Sequence, residues 1–181
     1  YIRPEIEQVP VEKLVENLEA LADKKPEDAG VRLNLARLHA MAYALKTDTA
    51  SVRKGKENQG AWFGFEPKHV PFTTKETDSA EQAATAKAHL EKAIDYYRQA
   101  IALNKNNLTA QLGLGWCLKE AGKEEEASVQ LRKTLEMGWE KEKNLRLGSL
   151  GGRYITVEAV AYLTPLLDPE NRVLGHLAVF D

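Results

Sequence analysis

One register recurs in this chain and limits its fold more than any other feature. Ala93, Tyr97 and Ala100 are followed 34 residues later by Ala127, Leu131 and Thr134. Each set places a small, a large and a small residue along one face of a helix, at spacings of four and three. Between the sets lies AQLGLGWCLKEAGK, which opens a helix at Leu114-Gly115 that pairs with the next one. A period of this length, carried by helical spacing, means a two-helix unit that cannot bury its apolar face alone. Such units stack on their neighbours and need a cover at the end of the row.

The same register appears upstream at an offset of 79 residues. Leu35-Ala36 aligns with Leu114-Gly115, Leu33 with Leu112 and Ala42 with Ala121, while Leu14, Leu18 and Leu21 align with Ala93, Tyr97 and Ala100. That offset is one period of 34 plus about 45 residues, so one unit holds an insertion between its two helices. The order becomes a second-type helix, a first-type helix, an insertion, its partner helix and one complete hairpin. A final helix near 156–167 covers the stack.

Local signals place the helices. VEKLVENLEALA at 11–22 carries Val11, Leu14, Val15, Leu18 and Leu21 on one stripe, with Pro10 at its start and Pro26 beyond its end. Asp28 reads as the N-cap of AGVRLNLARLHAMAYAL. Asp78-Ser79-Ala80-Glu81 has capping-box spacing before a helix reaching about Leu103. Leu108–Glu120 and Glu125–Met137 follow, separated at Gly122, and VEAVAYLTPLL stops at Asp168-Pro169. No segment reads as a strand, and 46–79 reads as irregular.

Leu114, Gly115, Ala127 and Leu131 resemble the tetratricopeptide repeat, which has Leu-Gly in its first helix and Ala-x3-Phe-x2-Ala in its second over 34 residues. Gln111, Leu118 and Thr134 depart from its Trp, Tyr and Ala, and Lys105 and Trp139 from its closing Pro. The resemblance covers roughly 10–45 and 80–137. It implies an all-α fold of helical hairpins in a short right-handed superhelix, with an irregular aromatic-rich insertion and a C-terminal capping helix. The chain then reads as a single domain over 1–181, with 46–79 as insertion and 138–181 as capping tail.

The resemblance also implies a protein or peptide partner on a concave face of first helices. Leu33, Asn34, Arg37 and Met41 fall there, together with Leu112, Trp116, Lys119 and Glu120. Some of these repeats grip a C-terminal carboxylate with Lys and Asn. The matching places hold Leu33, Arg37, Leu112 and Trp116, so no such clamp is expected. Trp116 reads either as an aromatic anchor for a partner or as a residue packed against the insertion.

That insertion carries NQGAWFGFEPKHVPF at 58–72. Trp62, Phe63, Phe65 and Phe72 are too many aromatic residues for a solvated linker, since burying each is worth roughly 2–3 kcal/mol. They are expected to dock on the chain's own helices, with Trp62 or Phe63 against Trp116. The alternatives are an exposed ligand- or protein-binding patch and a disordered segment; His69 is a further candidate contact of the insertion.

Composition excludes more than it selects. There are 25 basic and 27 acidic residues, and VRKGKE at 52–57 is an isolated basic cluster, so nucleic acid is not an expected partner. The apolar runs are too short to span a bilayer. His39, His69, His89 and His176 show no metal-ligand spacing, and LGSLGGR at 147–153 lacks the Lys of a phosphate loop. No catalytic residue, metal or cofactor is expected. His39 reads as packed and His89 as exposed or satisfied. Cys117 reads as a small buried hydrophobe.

The expected function is therefore a non-enzymatic interaction scaffold. The alternatives are a structural helical accessory domain of a larger exported protein and a small-ligand or catalytic site formed by the insertion around Glu66, His69 and Arg37. The start at Tyr1 points to export, periplasmic or extracellular, with a leader removed; a cytoplasmic location is the other possibility.

Overall fold

The computed structural model describes residues 5–61, 74–144 and 154–167. Among these residues the chain divides into two compact units that meet in sequence at Lys105 and Asn106.

The first unit holds β1 (Ile6–Pro10), α1 (Val11–Lys24), α2 (Ala29–Leu45), β2 (Thr49–Arg53), a 3-10 turn (Glu57–Gln59) and α3 (Ala80–Leu103). Its core gathers Leu14 and Leu18 of α1, Leu35 and Leu38 of α2, and Val9 and Val52 of the two strands. α2 begins as its sequence directs: the Asp28 carboxylate accepts hydrogen bonds from the Gly30 and Val31 amides, satisfying two orphan donors of the first turn. The cap of α3 lies one residue later than the sequence suggests. Ser79, not Asp78, accepts from the Gln82 amide.

β1 and β2 correct the expectation that the chain has no strand and that 46–79 is irregular throughout. They pair antiparallel, with Ile6 opposite Arg53 and Val9 opposite Ala50. Alternation in TASVR turns Ala50 and Val52 into the core and leaves Thr49 and Arg53 outside. Five residues give too short a period to read alone, and the partner strand lies about 43 positions away. Beyond β2, Gly60 adopts φ 87°, and a Cβ there would stand 3.2 Å from Leu18 Cδ1. This connection therefore lies directly on α1, with Ala61 packed against the same core.

The second unit holds α4 (Leu108–Glu120), α5 (Glu124–Glu142), α6 (Ile155–Leu163) and a 3-10 turn (Thr164–Leu166). Asn107 caps α4 by accepting from the Ala110 amide. Gly122, at φ 72°, makes the left-handed turn between α4 and α5 that an L side chain resists. α5 runs farther than the sequence suggests, through Trp139 into the charged EKE. Three glutamates in its first turn face the positive end of the helix dipole.

Candidate functional site

In the α4/α5 hairpin, a Cβ on Gly115 would lie 2.7 Å from Leu131 Cδ2 and 2.8 Å from its Cγ, so only glycine permits this approach. Leu131 is fully buried over it. One turn earlier on α4, buried Gln111 accepts at Oε1 from Gln130 Nε2 at 2.6 Å. Thr134, which departs from the small apolar residue of the motif, is also buried, but its hydroxyl donates to the Gln130 carbonyl at 2.8 Å. The departure is therefore hydrogen-bonded and tolerated.

α6 closes this unit against α5. Glu142 accepts from the Ile155 and Thr156 amides at 2.9 and 3.0 Å and from the Thr156 hydroxyl at 2.7 Å. A residue of one helix thus caps the next. At Gly138 a Cβ would come within 3.0 Å of Thr156 Cγ2, so the contact requires a small residue on α5.

In the first unit, α2 and α3 meet around two histidines. His39 Nδ1 and His89 Nδ1 lie 2.8 Å apart. The His39 ring stacks on Tyr96, with centroids 5.7 Å apart and planes 4° from parallel, and the Tyr96 hydroxyl donates to Glu19 of α1 at 2.5 Å. His39 is 1% exposed, and its Nε2 has no hydrogen-bond partner among the described residues. Burial, then the neighbouring charges of His89 and Lys92, hold its pKa down to about 3. Burial and Lys92 also lower that of His89, against a smaller upward pull from Glu12. Burial and the bond to Glu19 push the Tyr96 phenol up to about 12.

Beside this pair lies a cavity of about 610 Å3. His89, Ala86 and Thr85 of α3 form part of its wall, with Glu12 of α1 and Lys46 and Asp48 beyond α2. The two ends of the long connection are tied together at its edge. Gln82 Nε2 donates to the Lys46 carbonyl at 2.8 Å, and the Lys75 amide to the Ala44 carbonyl at 2.7 Å. Lys46 holds φ 51° there, its Nζ bonded to the Tyr43 carbonyl and lying 4.0 Å over the Tyr43 ring. Among the described residues no group of three or more acidic, histidine or cysteine side chains is placed to hold a metal ion.

The residues expected on a binding face separate into two classes. Asn34, Arg37 and Met41 are half-buried on α2, and Lys119 and Glu120 are half-buried at the end of α4, ion-paired at 3.2 Å. Leu112 and Trp116 are buried, at 0% and 3% exposure, and offer no surface to a partner. Trp62, Phe63, Phe65 and His69 lie outside the described residues, as do Glu66 and Phe72. Cys117 is buried and burial pushes its thiol pKa up, away from nucleophilic chemistry. Sequence reading took His39 as packed but missed its pairing with His89. The available signal was that both follow the apolar stripes of two helices that the repeat register already pairs.

No described helix is long and apolar enough to cross a membrane. Among curated proteins and among solved structures, nothing matches the chain. A family model of the tetratricopeptide repeat matches residues 79–138, which run from the cap of α3 through α4 to Gly138 on α5. Gly115 beneath Leu131 lies within that stretch, and residues 79–138 are similar in sequence to a tetratricopeptide repeat.

Proposed function

We propose that the protein is a non-enzymatic scaffold that holds a segment of a partner protein on the faces of its first-type helices. Tetratricopeptide repeats mediate protein–protein interaction, and the match over 79–138 carries this reading. Because fold alone does not set function, the surface matters. Asn34, Arg37 and Met41 recur along one face of α2 and remain partly accessible, as do Lys119 and Glu120 on α4. In this reading they contact the partner, with Trp62, Phe63, Phe65 and His69 of the connection adding to the grip. Leu112 and Trp116 act as core beneath the contact surface. The test is affinity capture from the source proteome by the wild type and by Arg37→Glu and Lys119→Glu variants whose helix content and melting are unchanged. Recovery of one stoichiometric partner, reduced about tenfold or more by either variant, supports the scaffold. No partner, or equal recovery by all three proteins, overturns it.

A small-ligand reading has the first unit's cavity in its favour, because about 610 Å3 falls within the range of small-molecule sites. A thermal-shift screen decides it. Stabilisation by a compound that disappears in a Thr85→Leu variant supports this reading; no stabilisation across the screen removes it.

A further inference from the structure

The His39–His89 contact has a proton count that constrains what acid does to it. Two Nδ1 atoms at 2.8 Å share one proton, so one ring donates and the other accepts. The buried, unpartnered Nε2 of His39 selects between the two arrangements. If His89 donated, His39 would carry its own proton on Nε2, leaving an N–H buried without an acceptor, the rarer and costlier kind of orphan. His39 therefore donates from Nδ1, its Nε2 keeps a bare lone pair, and His89 carries its proton on Nε2.

One more proton has no place in this arrangement. The pair has four ring nitrogens, and the two facing ones share one proton. The outer nitrogen of His89 is already protonated, so the vacant position is His39 Nε2, which is buried with no hydrogen-bond partner among the described residues. Protonation at the inner nitrogen of His89 sets two N–H groups against each other. The pair takes up a proton only by coming apart.

We propose that His39 and His89 form an acid-operated latch on the α2/α3 hairpin, in which a proton taken up by His89 ends the Nδ1···Nδ1 bond and lets the helices part beside the cavity. The groups around the pair define both states. Lys92 on α3 opposes a charge on either ring, and Tyr96 on α3 stacks on His39 while bonded to Glu19 of α1; both hold the closed, neutral pair. Glu12 of α1 favours a charged His89 and shares the cavity wall with it. Asp48 and Glu81 line the same cavity, with Lys46 as the one lysine among its described lining residues. A released imidazolium thus exchanges His39 for a wall with three carboxylates. Such a two-state element, biased by one proton, is what a pH switch requires.

The test uses imidazole nitrogen NMR and amide hydrogen exchange on the full chain. At pH 8 a scalar coupling should connect the two Nδ1 nuclei, with the proton on His39. On acidification that coupling and the His89 shift should change together at one midpoint. Corrected for intrinsic exchange, opening of α2 around Leu38–Ala42 and of α3 around Ala86–Leu90 should rise by more than tenfold per pH unit below about 6.5, because the opened hairpin binds a proton at His89 as well as at His39. In His89→Gln, the amide oxygen accepts from His39 without titrating, so only the His39 proton remains linked to opening and the rise should be shallower than in the wild type. The proposal is overturned by absence of the coupling at pH 8, by protonation of His89 with the coupling intact, or by the same rise in His89→Gln.

Discussion

The α4/α5 hairpin and the α2/α3 hairpin are built on one register and joined in opposite ways. α4 passes to α5 through the left-handed turn at Gly122, and the helices meet where Leu131 lies on Gly115. At the aligned place α2 has Ala36, fully buried, and its link to α3 runs from Lys46 to Ser79. Loop-closure entropy grows only slowly with length, so a long link is tolerated when its ends are held. Gln82 and Lys75 hold those ends, and β2 and Gly60 lay the chain back on α1. With the short link, the helix contact rests on close apolar packing of Leu131 over Gly115 beside one buried hydrogen bond from Gln130 to Gln111. A long one comes with polar devices at the contact: the histidine pair, its stacked tyrosine and the tied ends.

The largest expected effect breaks the apolar version. Leu131→Ala deletes a fully buried side chain and should cost about 3 kcal/mol in denaturant unfolding. Gly115→Ala should destabilise the wild type, because the new methyl meets Leu131 at 2.7 Å. In the Leu131→Ala background the same change should be neutral or stabilising, since the space is free and alanine favours helix. Equal effects in both backgrounds would show that Gly115 has another purpose.

Acid should separate the two hairpins next. His39 has its folded pKa lowered to about 3 from an ordinary 6.5, so between these values the unfolded chain binds the extra proton. Stability therefore falls as pH drops through this window, by about 1.4 kcal/mol per unit at full slope, and is retained above 6.5. His39→Phe should flatten the melting temperature between pH 7 and 5. An unchanged slope would remove the histidine from the account.

These two contacts also mark how far the sequence was readable. Gly115 and Leu131 could be found because spacing within one short hairpin is a local property. The pairing of α2 with α3 was legible from the offset register, yet the bond between His39 and His89 depends on rotation of two helices joined by a long link. β1 and β2 were hidden for the same reason: five-residue strands have little period, and their pairing partner is remote. Leu112 and Trp116 lay at motif positions that face outward in the repeat, but burial is decided by the whole neighbourhood, which one helix's spacing does not contain.

The long link offers a smaller test. Gly60→Ala places a methyl 3.2 Å from Leu18 at φ 87°, where an L residue is strained, and should cost about 2 kcal/mol. If the link were held only at its ends, this change in its middle would leave the melting temperature unaltered. A loss comparable to a core substitution means that the connection is part of the first unit's core.

The smallest effect concerns the cover of the second unit. Glu142 supplies acceptors for two amides at the start of α6, the role usually taken by a residue just before a helix. Tyr154, which occupies that position, makes no side-chain cap. Glu142→Ala should cost about 1 kcal/mol and speed amide exchange in α6 before it affects α4. Glu142→Gln keeps one oxygen acceptor but loses the charge that faces the helix dipole, so it should fall between wild type and alanine. A ranking with glutamine equal to alanine would assign the whole contribution to charge, and one with glutamine equal to wild type would assign it to the hydrogen bond. In either case α6 is held by a side chain of α5, which explains how a nine-residue helix, too short to persist alone, closes the end of this unit.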